Sequence, residues 1–216
     1  MSKHTAASLT ALIAAVQKAD SADGLLRATQ ELAASGDPAA APTLVEVLGF
    51  NNPGAAVAAV EGLINLGASA VAALLQLDPE NYGARAWAVR ALAGIGDVRG
   101  LELLLDALGS DVAASVRRAA AKGLGQLVLD GLPDATKHRV RQRCLAALLA
   151  ASNDGEWVVR YAVAVGLESM AAGLSPHLPE WQQARAGLAS LHASTQDNVQ
   201  VVQRRAHLAL LRLEQL

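Results

Sequence analysis

The chain has 216 residues, a formal charge of −2, 52% apolar residues and only 3% aromatic ones. That length holds one domain of repeats or at most two lobes. The slightly acidic balance argues against a protein that works by bulk attraction to nucleic acid or to an anionic membrane.

From about Thr5 to Lys18, Leu9, Leu12, Ile13 and Val16 follow helical spacing. Ser8, Thr10 and Gln17 interrupt the apolar run, which predicts an amphipathic capping helix within residues 1–20 rather than a signal peptide. No segment carries enough consecutive apolar residues to span a bilayer. A single cysteine, Cys144, rules out an internal disulfide framework and fits a reducing, cytoplasmic address.

Residues 21–216 read as successive helix pairs. Breaks fall at Ser35-Gly36-Asp37-Pro38, Asn51-Asn52-Pro53-Gly54, Asp78-Pro79-Glu80-Asn81, Gly109-Ser110-Asp111 and Ser152-Asn153-Asp154-Gly155. Each joins a helix-stopping Gly or Pro to a short polar residue able to cap the next helix. Gly36-Asp37 and Gly96-Asp97 suit tight turns inside a pair, and residues 131–134 and 173–179 lengthen that turn in the last two repeats. With no low-complexity linker, residues 1–216 read as a single domain.

One phrase recurs through this array: an apolar residue and arginine, then a small-residue helix closing on leucine. Its clearest copy runs from Ala84-Arg85-Ala86-Trp87 to Gly94-Ile95-Gly96-Asp97. It returns from Val116-Arg117-Arg118 to Leu124 and from Val159-Arg160-Tyr161 to Leu167. The anchoring leucines Leu32, Leu63, Leu92, Leu124, Leu167 and Leu210 stand 29 to 43 residues apart. A helical period of that size marks an all-α solenoid of about six stacked helix pairs, expected to form a curved right-handed superhelix. Alanine-rich, strand-poor segments agree with it locally.

Asp111 followed six residues on by Arg117, and Asp154 followed by Arg160, resembles the aspartate–arginine spacing of HEAT repeats. The resemblance implies that Asp111, Arg117, Asp154 and Arg160 form a structural ladder between repeats, with the arginine-bearing helices lining the concave side. In the final copy Gln203 replaces the arginine. Positions one, two, five and nine residues after the ladder position share a helical stripe. From Trp87 onward that stripe carries Trp87, Arg90, Arg118, Lys122, Gln126, Tyr161, Ser169, Arg204, Arg205 and Arg212, with no carboxylate among them. Taken singly, each cation reads as a solvated side chain whose stem covers alanine-rich helix. Together with Trp87 and Tyr161 they outline a binding surface, with Tyr82 and Trp157 at its rim.

Catalytic motifs are mostly absent. The glycines show no phosphate-loop or dinucleotide pattern. His4, His138, His177, His192 and His207 sit in different repeats without ligand spacing, so no metal site is expected. Cys144 lies on an apolar helical face and reads as a buried, inert thiol.

The stretch Asn81-Tyr82-Gly83-Ala84-Arg85-Ala86-Trp87 through Asp97, continued by Arg99-Gly100-Leu101-Glu102, resembles the E/F-type phycobilin lyases, specifically the smaller F-type subunit. The repeat from Ser115 to Gly125 supports the likeness. The resemblance implies a lyase subunit acting with an E-type partner. The pair would attach a bilin, phycocyanobilin, by a thioether to a cysteine of an apo-phycobiliprotein client, the phycocyanin α subunit. The bilin is then a substrate, and no cofactor is permanently bound. Tyr82, Trp87, Arg90, Arg118, Lys122 and Tyr161 become candidate ligand contacts, and Asp97 and Glu102 the acids available in the family stretch. Some F-type relatives that also isomerise the bilin carry a His-Cys pair near Tyr82-Gly83. This chain has neither residue there, which favours simple ligation. A non-catalytic scaffold that binds phycobiliproteins or another protein is the competing reading, with a nucleic-acid groove behind it. Leu9, Ile13, Leu208, Leu211 and Leu216 are candidates for the heterodimer contact.

Overall fold

The computed structural model describes residues 8–78, 80–194 and 200–215. His4, Pro79, Leu216 and the first residues of the expected capping helix lie outside them. The chain divides into two compact units, Met1–Ile95 and Gly96–Leu216.

The first unit holds α1 (Leu9–Gln17), α2 (Ala22–Ala34), α3 (Ala41–Val47), α4 (Pro53–Leu66), α5 (Val71–Leu75) and α6 (Tyr82–Ile95). Local chemistry sets the starts. The Ser8 and Ser21 hydroxyls accept from the amides of Ala11 and Gly24, and Asn52 accepts from Ala55 at 3.0 Å with Pro53 in the first helical turn. Each cap satisfies an amide with no partner inside its helix. α2, α4 and α6 pack in succession, and α3 and α5 form a second layer against α4 and α6.

The core between them is made of fully buried Leu32, Leu63 and Leu92 set among buried Ala55, Ala56, Ala59, Ala84, Ala88 and Ala91. A buried leucine contributes about 1.5–3 kcal/mol, and alanine faces let the helix axes come close enough to surround it. The Asn52 side-chain amide also donates to the Ala22 carbonyl at 2.9 Å, tying the start of α4 to the start of α2.

The second unit opens at Gly96, whose φ of +71° suits a residue without Cβ. It holds α7 (Leu101–Ser110), α8 (Ala114–Leu124), α9 (Asp134–Ala150), α10 (Trp157–Ala172), α11 (Pro179–Ala193) and α12 (Gln200–Leu213). α8, α10 and α12 form one layer, and α7, α9 and α11 the other. Where α8 meets α10, a Cβ on Gly125 would overlap the backbone of Gly166. The two helical segments therefore touch backbone to backbone.

Among the described residues there is no strand, and one isolated bridge joins Asp97 to Val128. The array is an all-α solenoid of helix pairs. One anchoring leucine differs from its expected place: Leu210 is only partly covered, and Leu213 takes the core position on α12 beside Val202, Ala206 and Ala209. The final copy is therefore shifted by about one turn relative to the others.

Candidate functional site

In the first unit the aromatic residues of interest lie on α6. Tyr82 is its first residue and is 74% exposed. Trp87 is half-buried, and the Arg90 guanidinium carbon sits 4.4 Å from the centroid of its ring. Residues three apart on a helix are surface neighbours, and a cation over an indole face contributes about 0.5–1 kcal/mol at partly exposed sites. The contact holds the indole and the guanidinium against each other without consuming the outward N–H donors of the arginine.

In the second unit Arg118 and Lys122 project from α8 one turn apart. Both are exposed, and neither makes an ion pair with another described residue. Tyr161 on α10 is half-buried, with the Arg205 guanidinium carbon 6.0 Å from its ring centroid.

The stripe is not free of carboxylates. Glu168 on α10 pairs with Arg205, and at 3.2 Å with Arg212, both from α12. Two of the six stripe cations are thus partly neutralised, while Arg118 and Lys122 keep their charge open. Glu168 escapes the stripe rule because it follows Arg160 by eight residues. At 100° per residue that lies roughly 20° around the helix from Tyr161. Counting one further offset finds it.

The ladder residues form a connected network. Arg117 grips the Asp154 carboxylate in a bidentate pair at 2.7 and 2.9 Å. Its Nη1 donates to the carbonyls of Asp111 and Val112 at 2.8 and 3.1 Å. Arg160 donates to the Asp154 carbonyl, and Asp154 also accepts from the Glu156 amide. The Arg117 hydrogen bonds hold the Asp154 carboxyl below its usual range, and Asp154 raises the Arg117 guanidinium in turn. Such forked pairs fix geometry as well as charge. The Gln203 amide repeats the gesture without charge, donating to the Ser194 carbonyl at 2.7 Å.

Neither candidate acid of the family stretch is placed to give up a proton. Asp97 caps the Arg99 amide at 2.9 Å and pairs with the Arg99 side chain, which lowers its carboxyl. Glu102 pairs with Arg143 of α9 and is lowered by it as well. Both are held in the ionised form, the wrong state for a general acid.

Cys144 is buried beside a cavity of about 280 Å³ that Val140, Arg141 and Met170 also line. Burial pushes its thiol up to about 12, which keeps it neutral and unreactive. The histidines are not all isolated: His192 and His207 stack with ring centroids 4.8 Å apart, and His138 meets the buried Glu180 at 2.5 Å. No group of three metal-ligating side chains occurs among the described residues, and no helix there is long and apolar enough to cross a membrane.

Comparison with known proteins adds a family to this geometry. A family model described as HEAT repeats matches residues 71–138. The chain is 54% identical over 175 residues to a phycocyanobilin lyase subunit beta of Pseudanabaena tenuis, covering 80% of this chain and 62% of that protein. It is 53% identical over 161 residues to the phycocyanin alpha phycocyanobilin lyase CpcF of Synechocystis sp., covering 74% of this chain and 75% of the relative. Among solved structures, a chain from the complex of CpcE and CpcF of phycocyanin lyase from Nostoc sp. superposes with a TM-score of 0.71 at 44% identity. That match covers 80% of this chain and 99% of the other.

Proposed function

We propose, from the premise that this chain belongs to the E/F-type HEAT-repeat phycobilin lyases as an F-type subunit, that it works with an E-type subunit to attach phycocyanobilin to an apo-phycobiliprotein. The client is the phycocyanin α subunit, and the bond is a thioether to one of its cysteines.

The observation that carries the reading is the Trp87–Arg90 pair: a half-buried indole with a guanidinium over it, in the sequence phrase that bears the family likeness. A linear tetrapyrrole has a conjugated face and two propionates. The indole offers a stacking surface for the first, and Arg90 a charge-assisted hydrogen bond for a propionate. In the second unit, Arg118, Lys122 and Tyr161 offer the same two chemistries.

The chain's own thiol takes no part. Cys144 is its single cysteine, buried and raised to about 12, so the sulfur that enters the bond is the client's. The client thiol adds across an exocyclic double bond of the bilin. The new S–C bond and the relocated proton account for every atom of the thiol. With Asp97 and Glu102 ionised, this subunit contributes by holding the bilin and aligning the client. Positioning of that kind lowers a barrier by up to about 7–11 kcal/mol in favourable cases. The absence of a His-Cys pair at Tyr82-Gly83 supports ligation without isomerisation.

Co-expression of the chain with an E-type subunit, apo-phycocyanin α and a bilin source tests this. A zinc-fluorescent client band on a denaturing gel is expected, and Arg90→Ala and Trp87→Ala should each reduce it about tenfold. A client that stays colourless with the intact pair would end the reading.

A further inference from the structure

A second site stands out on the α10–α12 face of the second unit. Arg205 is nine-tenths buried, an unusual position for a side chain that is always charged. Glu168, itself only 13% exposed, pairs with one terminal nitrogen of Arg205. The other, Nη1, is buried and has no hydrogen-bond partner among the described residues. Leaving a charged donor unsatisfied in a low-dielectric setting is costly, and folded proteins rarely tolerate it without a use. Arg212, two turns further along α12, shares Glu168 and remains 57% exposed. Two guanidinium groups set against one carboxylate leave a positive charge uncompensated. The ring of Tyr161 lies on the same face, 6.0 Å from the Arg205 guanidinium carbon.

We propose that Arg205 and Arg212, splayed around Glu168, form a monoanion site that takes a carboxylate carried by a planar conjugated ligand. On the functional reading above, on which this rests, that carboxylate is a propionate of the bilin. Glu168 holds Arg205 in place from one side, and the ligand carboxylate, on displacing the side chains that cover Nη1, accepts its N–H. Arg212 supplies the solvent-facing charge that the ligand meets first. The Tyr161 ring then borders the conjugated body. Without a side chain at 168 to bridge them, two adjacent arginines would repel each other and lose this fixed geometry. With Glu168 in place, the cluster has room for one further negative charge.

The probes are phycocyanobilin free acid and its propionate dimethyl ester, bound to the full chain in complex with its E-type subunit and followed by the change in bilin absorbance. The intact protein should bind the free acid more tightly than the ester. Arg212→Gln, at an exposed position that the fold tolerates, should weaken the free acid about tenfold and leave the ester unchanged. Arg205→Gln should do the same or more. Glu168→Gln, which keeps a bridging acceptor, should tighten the free acid because one repelling charge is gone, whereas a purely structural Glu168 would weaken both ligands together. Equal binding of acid and ester by the intact protein overturns the site. So does a free-acid affinity that neither arginine substitution changes, with the lyase reading left standing. Failure of the intact complex to bind either form removes the lyase reading itself, and the site with it.

Discussion

In the first unit, Asn52 reaches from the start of α4 to a backbone carbonyl at the start of α2. In the second, Arg117 reaches from α8 to the carboxylate of Asp154, ahead of α10. The tasks are equivalent, since each ties one helix pair to the next near the N-terminal ends of the helices it joins. The chemistry is not. A neutral amide makes directional hydrogen bonds at small desolvation cost, while a forked ion pair is stronger but must recover the hydration it gave up. A similar contrast governs helix approach. In the first unit a Cβ on Gly94 would meet the end of the Ile64 side chain, whereas in the second a Cβ on Gly125 meets backbone. The α4–α6 contact can adjust by turning the Ile64 rotamer, and the α8–α10 contact has nothing to turn.

Substitutions read by hydrogen exchange, which reports each unit separately, would sharpen or break that contrast. The largest effect is expected at Gly125→Ala, about 3 kcal/mol of lost protection in the second unit, since overpacking against backbone cannot relax. Gly94→Ala should change the first unit by less than about 1 kcal/mol, and equal losses at both sites would erase the distinction.

Arg117→Ala comes next, at about 2 kcal/mol, between the values for exposed and buried pairs. The same pair sets the acid response. The folded Asp154 carboxyl titrates below its ordinary 3.8, so its ionised form is favoured in the fold. Its stabilisation is complete above that pH and drains away as the pH falls through the folded value. Asp154→Asn should flatten this part of an acid-unfolding curve, and an unchanged curve would contradict the assignment.

Asn52→Ala should cost the first unit about 1 kcal/mol through the lost cap and tie. Glu102→Gln, at a solvent-exposed pair with Arg143, should leave the melting temperature unchanged, and a clear drop would show that this surface pair matters more than its exposure implies.

The features legible in the sequence are those written in backbone chemistry. Gly36 and Gly96 have positive φ, Asn52 and Asp97 cap the helical turns that begin after them, and Pro53 opens α4, all readable from residue type and order. Six-residue spacing likewise flags Asp111, Arg117, Asp154 and Arg160, though it does not say that the Arg117 fork closes on Asp154 while its third nitrogen takes carbonyls at 111 and 112. Side-chain reach is where a stripe rule fails. A long carboxylate at Glu168 crosses to α12 from just outside the nominal face, and Arg205 is buried by neighbours contributed from another repeat. The aromatic members divide in the same way: Trp87 follows from helix phase and Tyr82 from its place where a helix begins, whereas the Arg90 contact depends on rotamers that phase does not fix.

The backbone crossing at Gly125 and Gly166 bears on how this protein can drift. Where side chains meet, a change on one helix can be absorbed by a second change opposite it, so Ile64 and position 94 have a joint escape route: a smaller residue at 64 makes room for alanine at 94. Bare peptide groups offer no such accomplice. In a randomised library selected only for folding, the pair at 125 and 166 should therefore stay locked as glycine while 64 and 94 wander together.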